Sequence, residues 1–143
     1  MADSYNLERF VEAQNASNTY PRAVDELRRG RKTSHWMWFV FPQIAGLGFS
    51  EMSRTYAIGS LAEAQAYLSH PVLGPRLFEC ARLVAEAQAT SAEQIFGGID
   101  AVKLRSSMTL FLCAAPDEAL FREVLDRYFD GEPDAKTDAQ LTR

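Results

Sequence analysis

Apolar residues recur along this chain at helical spacing, and almost nowhere at the alternation of a half-buried strand. Leu7, Phe10 and Val11, followed by Gln14, predict a first helix over 6–15 that the polar run from Asn15 to Thr19 ends. Pro21 suits the first turn of a second helix, with Val24 and Leu27 inward and Arg28-Arg29-Gly30 at its end. Gly30 is the natural residue just past that end, because glycine reaches the left-handed conformation without steric cost. Ser50 is placed to cap a helix over 51–58, and Ser60-Leu-Ala-Glu63 has capping-box spacing for another over 61–69.

After the break at His70-Pro71, Leu73, Leu77, Cys80, Leu83 and Val84 mark the inner face of a long helix over 72–89. Ser91-Ala-Glu-Gln94 repeats the capping-box spacing for a short turn ending at Gly97-Gly98. Asp100 is then expected to cap a helix over 101–115. Leu104, Met108, Phe111, Leu112 and Ala115 share one of its faces, and Lys103, Ser106 and Ser107 another. Leu120, Phe121, Val124, Leu125, Tyr128 and Phe129 make 117–129 amphipathic, Gly131 stops it, and 132–143 reads as a polar tail. The segment 34–43 fits neither period. Its run from Trp36 to Phe41 is continuously apolar, and Pro42 biases Phe41 toward an extended backbone, so it is read as a short buried helix or an extended plug.

Six or seven helices without convincing strands predict an all-α fold, a compact orthogonal bundle in one domain over 1–143. A chain of 143 residues is long enough to bury a single core. Its 47% apolar and 24% charged residues exclude disordered and fibrous classes. No run is long enough to span a membrane and the N-terminus lacks a secretory pattern, which makes the cytoplasm the expected location. Cys80 and Cys113 lie among apolar helix positions without metal-ligand spacing, and both are read as reduced core thiols. The net charge of −4 argues against general nucleic-acid binding but leaves room for a local anion site. Twelve arginines against three lysines favour planar, forked recognition of phosphate or carboxylate. No cofactor or metal motif is present, and the oligomeric state stays open.

The block Gly30-Arg-Lys-Thr-Ser-His-Trp-Met-Trp-Phe-Val-Phe-Pro-Gln-Ile-Ala-Gly-Leu-Gly48 resembles a bacterial family catalogued as domain of unknown function 1810. The likeness continues through Arg54-Thr-Tyr56, Tyr67-Leu-Ser-His70-Pro, Ile95-Phe-Gly, Lys103-Leu-Arg-Ser-Ser-Met and Asp126-Arg-Tyr-Phe-Asp-Gly131, nearly the whole chain. The resemblance implies a compact, mainly helical fold and no particular activity. Some members bear the label calpastatin, which nine Phe, two Trp and five Tyr contradict, since an extended inhibitor would be poor in aromatics.

The same block concentrates the chain's candidate chemistry. Arg28, Arg29, Arg31 and Lys32 either complement the negative end of a helix and stay solvated, or grip an anion beside His35. Trp36 and Trp38 are core residues in the plain reading, and in the functional one an indole stacks on a flat ring. His35 is the candidate acid or base, whereas Ser34 is expected to cap a helix and His70 to make a structural hydrogen bond. Lys103, Ser106 and Ser107 share a face that either lets helices pack closely or meets a common ligand. The resulting expectation is one pocket for a planar, anionic, nucleotide-like metabolite. It is built from Arg31, Lys32, His35, Trp36, Trp38 and Gln43, with Lys103 and Ser107 from a neighbouring helix. The alternative is an interaction module in which some of Trp36, Trp38 and Phe39 form an exposed docking patch.

Overall fold

In the computed structural model, which describes residues 3–142, the three expected serine caps are formed. Ser50, Ser60 and Ser91 each accept a hydrogen bond from the backbone N–H three residues on, at 3.1 Å. They start α4 (Glu51–Thr55), α5 (Leu61–Ser69) and α7 (Ala92–Ala114). The other helices are α1 (Glu8–Asn15), α2 (Thr19–Arg28), α3 (Met37–Val40), α6 (Leu73–Glu86), α8 (Ala119–Phe129) and α9 (Ala135–Leu141). The fold is therefore all-α, as the periodicity predicts. Outside the helices, Ile44 and Ile58 form an isolated parallel bridge: Ala45 N–H donates to the Ile58 carbonyl and Ile58 N–H to that of Gln43, both at 2.8 Å.

Gly97 breaks α7 internally with φ 79° and ψ 169°, which separates a short first segment from a long buried one. A side chain there would meet no atom within 4 Å, so the left-handed backbone alone makes glycine the fitting residue. The long segment forms the centre of the molecule, packed by α5, α8 and α9. Phe111 within it contacts Tyr67 and Phe121 at ring centroid distances of 5.3 and 5.9 Å. Buried polar side chains then tie the smaller elements to this core. Gln14 donates to the Phe39 carbonyl at 2.7 Å and accepts from Arg76 at 3.1 Å, which holds α3 against α1 and α6. Arg9 pairs with Glu63 at 2.8 Å and caps the carbonyls of Thr55 and Ala57.

Two expectations change. The stretch expected as a polar tail carries α9; its last residue, Arg143, lies outside the described residues, as do Met1 and Ala2. Asp134 caps α9, its Oδ2 accepting from the Thr137 N–H and hydroxyl at 2.9 and 2.6 Å. The Asp134 N–H in turn donates to Thr109 Oγ1 of α7 at 2.8 Å. Polar residues thus dock because their hydrogen bonds close locally and against α7, and apolar periodicity is blind to that. Asp134→Ala is expected to cost about 1 kcal/mol, read as a lower urea midpoint with an unchanged m-value. An unchanged midpoint would mean that α9 adds nothing to stability. Cys80 is fully buried, and burial pushes its thiol up to about 12. Cys113 is exposed, which corrects the expectation of a second core thiol.

Candidate functional site

The 31–36 loop is shaped by one carboxylate that helical spacing conceals. Glu26 lies on the face of α2 that also buries Ala23 and Leu27. Its Oε1 accepts from the Thr33 and Ser34 N–H groups at 2.7 and 2.9 Å and from Trp36 Nε1 at 2.9 Å. Its Oε2 accepts from the Ser34 hydroxyl at 2.6 Å. Burial by itself raises the carboxyl's pKa, but these four donors outweigh it and hold the group down at about 2. Ser34 therefore anchors the loop instead of capping a helix, and α3 begins at Trp36 with no side-chain cap. Lys32 N–H donates to the Ile95 carbonyl at 2.7 Å, which fixes the loop beside the kink of α7.

Asp100 likewise departs from its expected role as a helix cap. Its two oxygens lie 2.8 Å from Lys32 Nζ and 3.4 Å from Lys103 Nζ. The Lys32 side chain is only 7% exposed, donates also to the Ser34 carbonyl, and lies 5.1 Å from the Trp36 ring centroid. Lys103 is more open at 23% and sits 4.8 Å over the Trp38 indole, a cation–π pair. Between the loop and the kink lies a cleft of about 340 Å³ whose lining includes Lys32, His35, Trp38, Gly97, Asp100 and Lys103. Two ammonium groups against one carboxylate leave it one net positive charge in a chain of −4. His35 is exposed at its rim, and no hydroxyl or thiol side chain lines it. The arrangement is suited to holding an anion against an aromatic wall and offers no hydroxyl or thiol nucleophile.

Four of the expected site residues stand elsewhere. Trp36 is buried, its N–H used by Glu26 and its ring packed near Phe41 and Phe96 at 6.3 and 6.4 Å. Ser107 is buried in the core with an unpartnered hydroxyl. Arg31 is exposed and lines an adjoining cleft with Arg29 and Glu93, which shares Lys32, Phe96 and Gly97 with this one. Gln43 does not line this cleft but two others, one of which shares Trp38 with it and the other Lys103. Trp36 precedes the helix in a non-helical conformation and is buried, while Trp38, within α3, is half-buried at the cleft. Ser106 donates to the Val102 carbonyl at 3.2 Å and approaches Asp134 at 3.3 Å. His70 Nδ1 accepts from the Val72 and Leu73 N–H groups at 3.1 and 3.2 Å, the structural hydrogen bond expected of it.

Glu26, Asp100 and Gly97 are the site's unanticipated members. Gly97 and Asp100 were read in the sequence as a turn end and a helix cap, whereas Glu26 left only the trace of a carboxylate three positions from Ala23 on an apolar face. The expected exposed aromatic patch is not formed by the residues named for it: none of Trp36, Trp38 and Phe39 is exposed, whereas the separate apolar residues Phe49, Ile99 and Val102 are 84%, 78% and 61% exposed. Among the described residues no group of three or more His, Cys, Asp or Glu is placed to hold a metal ion. No helix among them is long and apolar enough to cross a membrane.

The fold and cleft define a small helical domain with a cationic, aromatic surface site. The chain belongs to the family described as "Protein of unknown function (DUF1810)", which it matches over residues 4–141. It is similar to the conserved hypothetical protein Rv1873 from Mycobacterium tuberculosis, known from a crystal structure. The two are 51% identical over 99% of each chain, with a TM-score of 0.95. No curated protein matches the chain.

Proposed function

We propose that this chain is a small cytoplasmic binding protein for a planar, anionic, nucleotide-like metabolite held in the cleft between the 32–38 segment and the kink of α7. The observation that carries the reading is the convergence of Lys103, Trp38, His35 and the Lys32–Asp100 pair on one cleft of about 340 Å³. That volume lies within the ordinary range for small-molecule sites. The excess ammonium charge supplies attraction, the indole an apolar wall, and His35 a rim donor or acceptor.

A thermal-shift screen against nucleotides, sugar phosphates and coenzymes tests this reading. Ligand at a hundred times its Kd adds about 2.7 kcal/mol of stability. Lys103→Met is expected to leave the unliganded protein within about 1 kcal/mol of the parent, because its bond to Asp100 is long and partly solvated. It should also abolish the ligand shift. Absence of any shift at millimolar concentrations, or a shift that survives Lys103→Met, would reject the cleft.

A second reading, an interaction module, is favoured by the exposure of Phe49, Ile99 and Val102. Concentration-dependent self-association in sedimentation that Ile99→Asp removes would support it, and a monomer with no ligand response would leave neither self-association nor the metabolite reading standing.

A further inference from the structure

Trp38 also lines a smaller cavity of about 150 Å³, which has Gln43, Ser53 and Arg54 in its wall. Its walls are fixed by backbone. The Ile44–Ile58 bridge pins one side. On the other, the loop lies so close to α4 that a Cβ on Gly48 would stand 2.5 Å from Ser53 Oγ. The neighbouring clefts each have a carboxylate in their lining, Asp100, Asp134, Glu86 or Glu93. This one is lined by a guanidinium, an amide and two hydroxyl residues, Ser53 and Tyr56, and no carboxylate. Arg54 makes no ion pair among the described residues. The Trp38 Nε1–H is buried without an acceptor, an unmet bond that ordinarily costs free energy.

We propose that this cavity is a binding site for a compact oxyanion, the phosphate or carboxylate end of a small ligand, with Arg54 as its charged donor and Gln43 and Ser53 as neutral ones. A guanidinium fork suits either oxyanion through paired N–H bonds. The volume decides the size of the group: it is about half the lower bound for a whole small-molecule site and is suited to one terminal group. The site stands independently of the larger cleft, with which it shares only the Trp38 wall.

The two indoles make the test direct. In ¹H–¹⁵N spectra the Trp38 Nε1–H signal, assigned by its loss in Trp38→Phe, should move saturably on titration with inorganic phosphate or with acetate. The Trp36 signal, bonded to Glu26, should stay fixed and report an intact fold. Whichever anion saturates first identifies the group. Arg54 is exposed, so Arg54→Met should fold normally and weaken that affinity at least tenfold, while Lys103→Met should change it less than twofold. No saturable movement with either anion at tens of millimolar, or an affinity indifferent to Arg54→Met, would overturn the site. Loss of the response in Lys103→Met but not in Arg54→Met would place the anion in the larger cleft and overturn it equally.

Discussion

Glu26→Ala is expected to destabilise the protein by about 4 kcal/mol, since a buried donor deprived of its acceptor costs roughly 1–3 kcal/mol and four donors share this carboxylate. The four are the Thr33 and Ser34 amides, the Ser34 hydroxyl and the Trp36 indole. Calorimetry should show a melting temperature lower by about 15 °C for a domain of this size. The pH dependence separates the carboxylate's charge from its packing. Its pKa is about 2 in the folded protein, below the ordinary 4.5, so the unfolded chain takes up the proton first as pH falls. The contribution is therefore complete above pH 4.5 and is lost progressively between about 4.5 and 2. Glu26→Gln, which keeps the shape but not the charge, should flatten this part of the stability profile. A parent and a Glu26→Gln variant with the same acid slope would show that the carboxylate's proton does not couple to folding.

The elements legible in the sequence are those whose determinants lie within one helical turn. Ser60 with Glu63 and Ser91 with Gln94 were readable because donor and acceptor are three residues apart. Even there the second half of each box is redirected. Glu63 accepts from Gly59 N–H and pairs with Arg9, and Gln94 accepts from Thr90 N–H. The continuous apolar run around α3 hid its boundary, because the whole segment is enclosed and periodicity needs a solvent side to show itself. The candidate cleft was legible in composition and not in connectivity. Lys32, His35, Trp38 and Lys103 do line one cleft. Their arrangement depends on Asp100, whose reach to Lys32 crosses from α7 to another segment and has no local signature. Asp100 looked like a cap because a carboxylate just before an apolar helical run usually is one; the glycine kink starts that helix earlier and frees the side chain.

That pairing divides the labour between the two lysines and gives the remaining large prediction. Lys32 is nearly buried and bonded to both Asp100 and the Ser34 carbonyl, so its charge is committed, whereas Lys103 keeps the more open ammonium. Lys32→Met is expected to cost about 2 kcal/mol, because the partly buried Asp100 carboxylate then keeps only its longer pair with Lys103. Lys32→Met with Asp100→Asn should recover to within about 1 kcal/mol of the parent, since both charges then leave together. The same variants test the proposed anion site through its charge. The single substitution leaves Lys103 against Asp100 with no net charge, and anion-dependent thermal shifts should vanish. The double substitution restores one uncompensated ammonium, and the shifts should return. Chemical denaturation for the first comparison and thermal shift with the best nucleotide for the second are each made on the parent, the single and the double variant. If the double variant is as unstable as the single one, the Lys32–Asp100 pair is not what holds the loop to α7. If it is stable but unresponsive to anions, Lys32 touches the ligand directly and the cleft uses both lysines, not Lys103 alone.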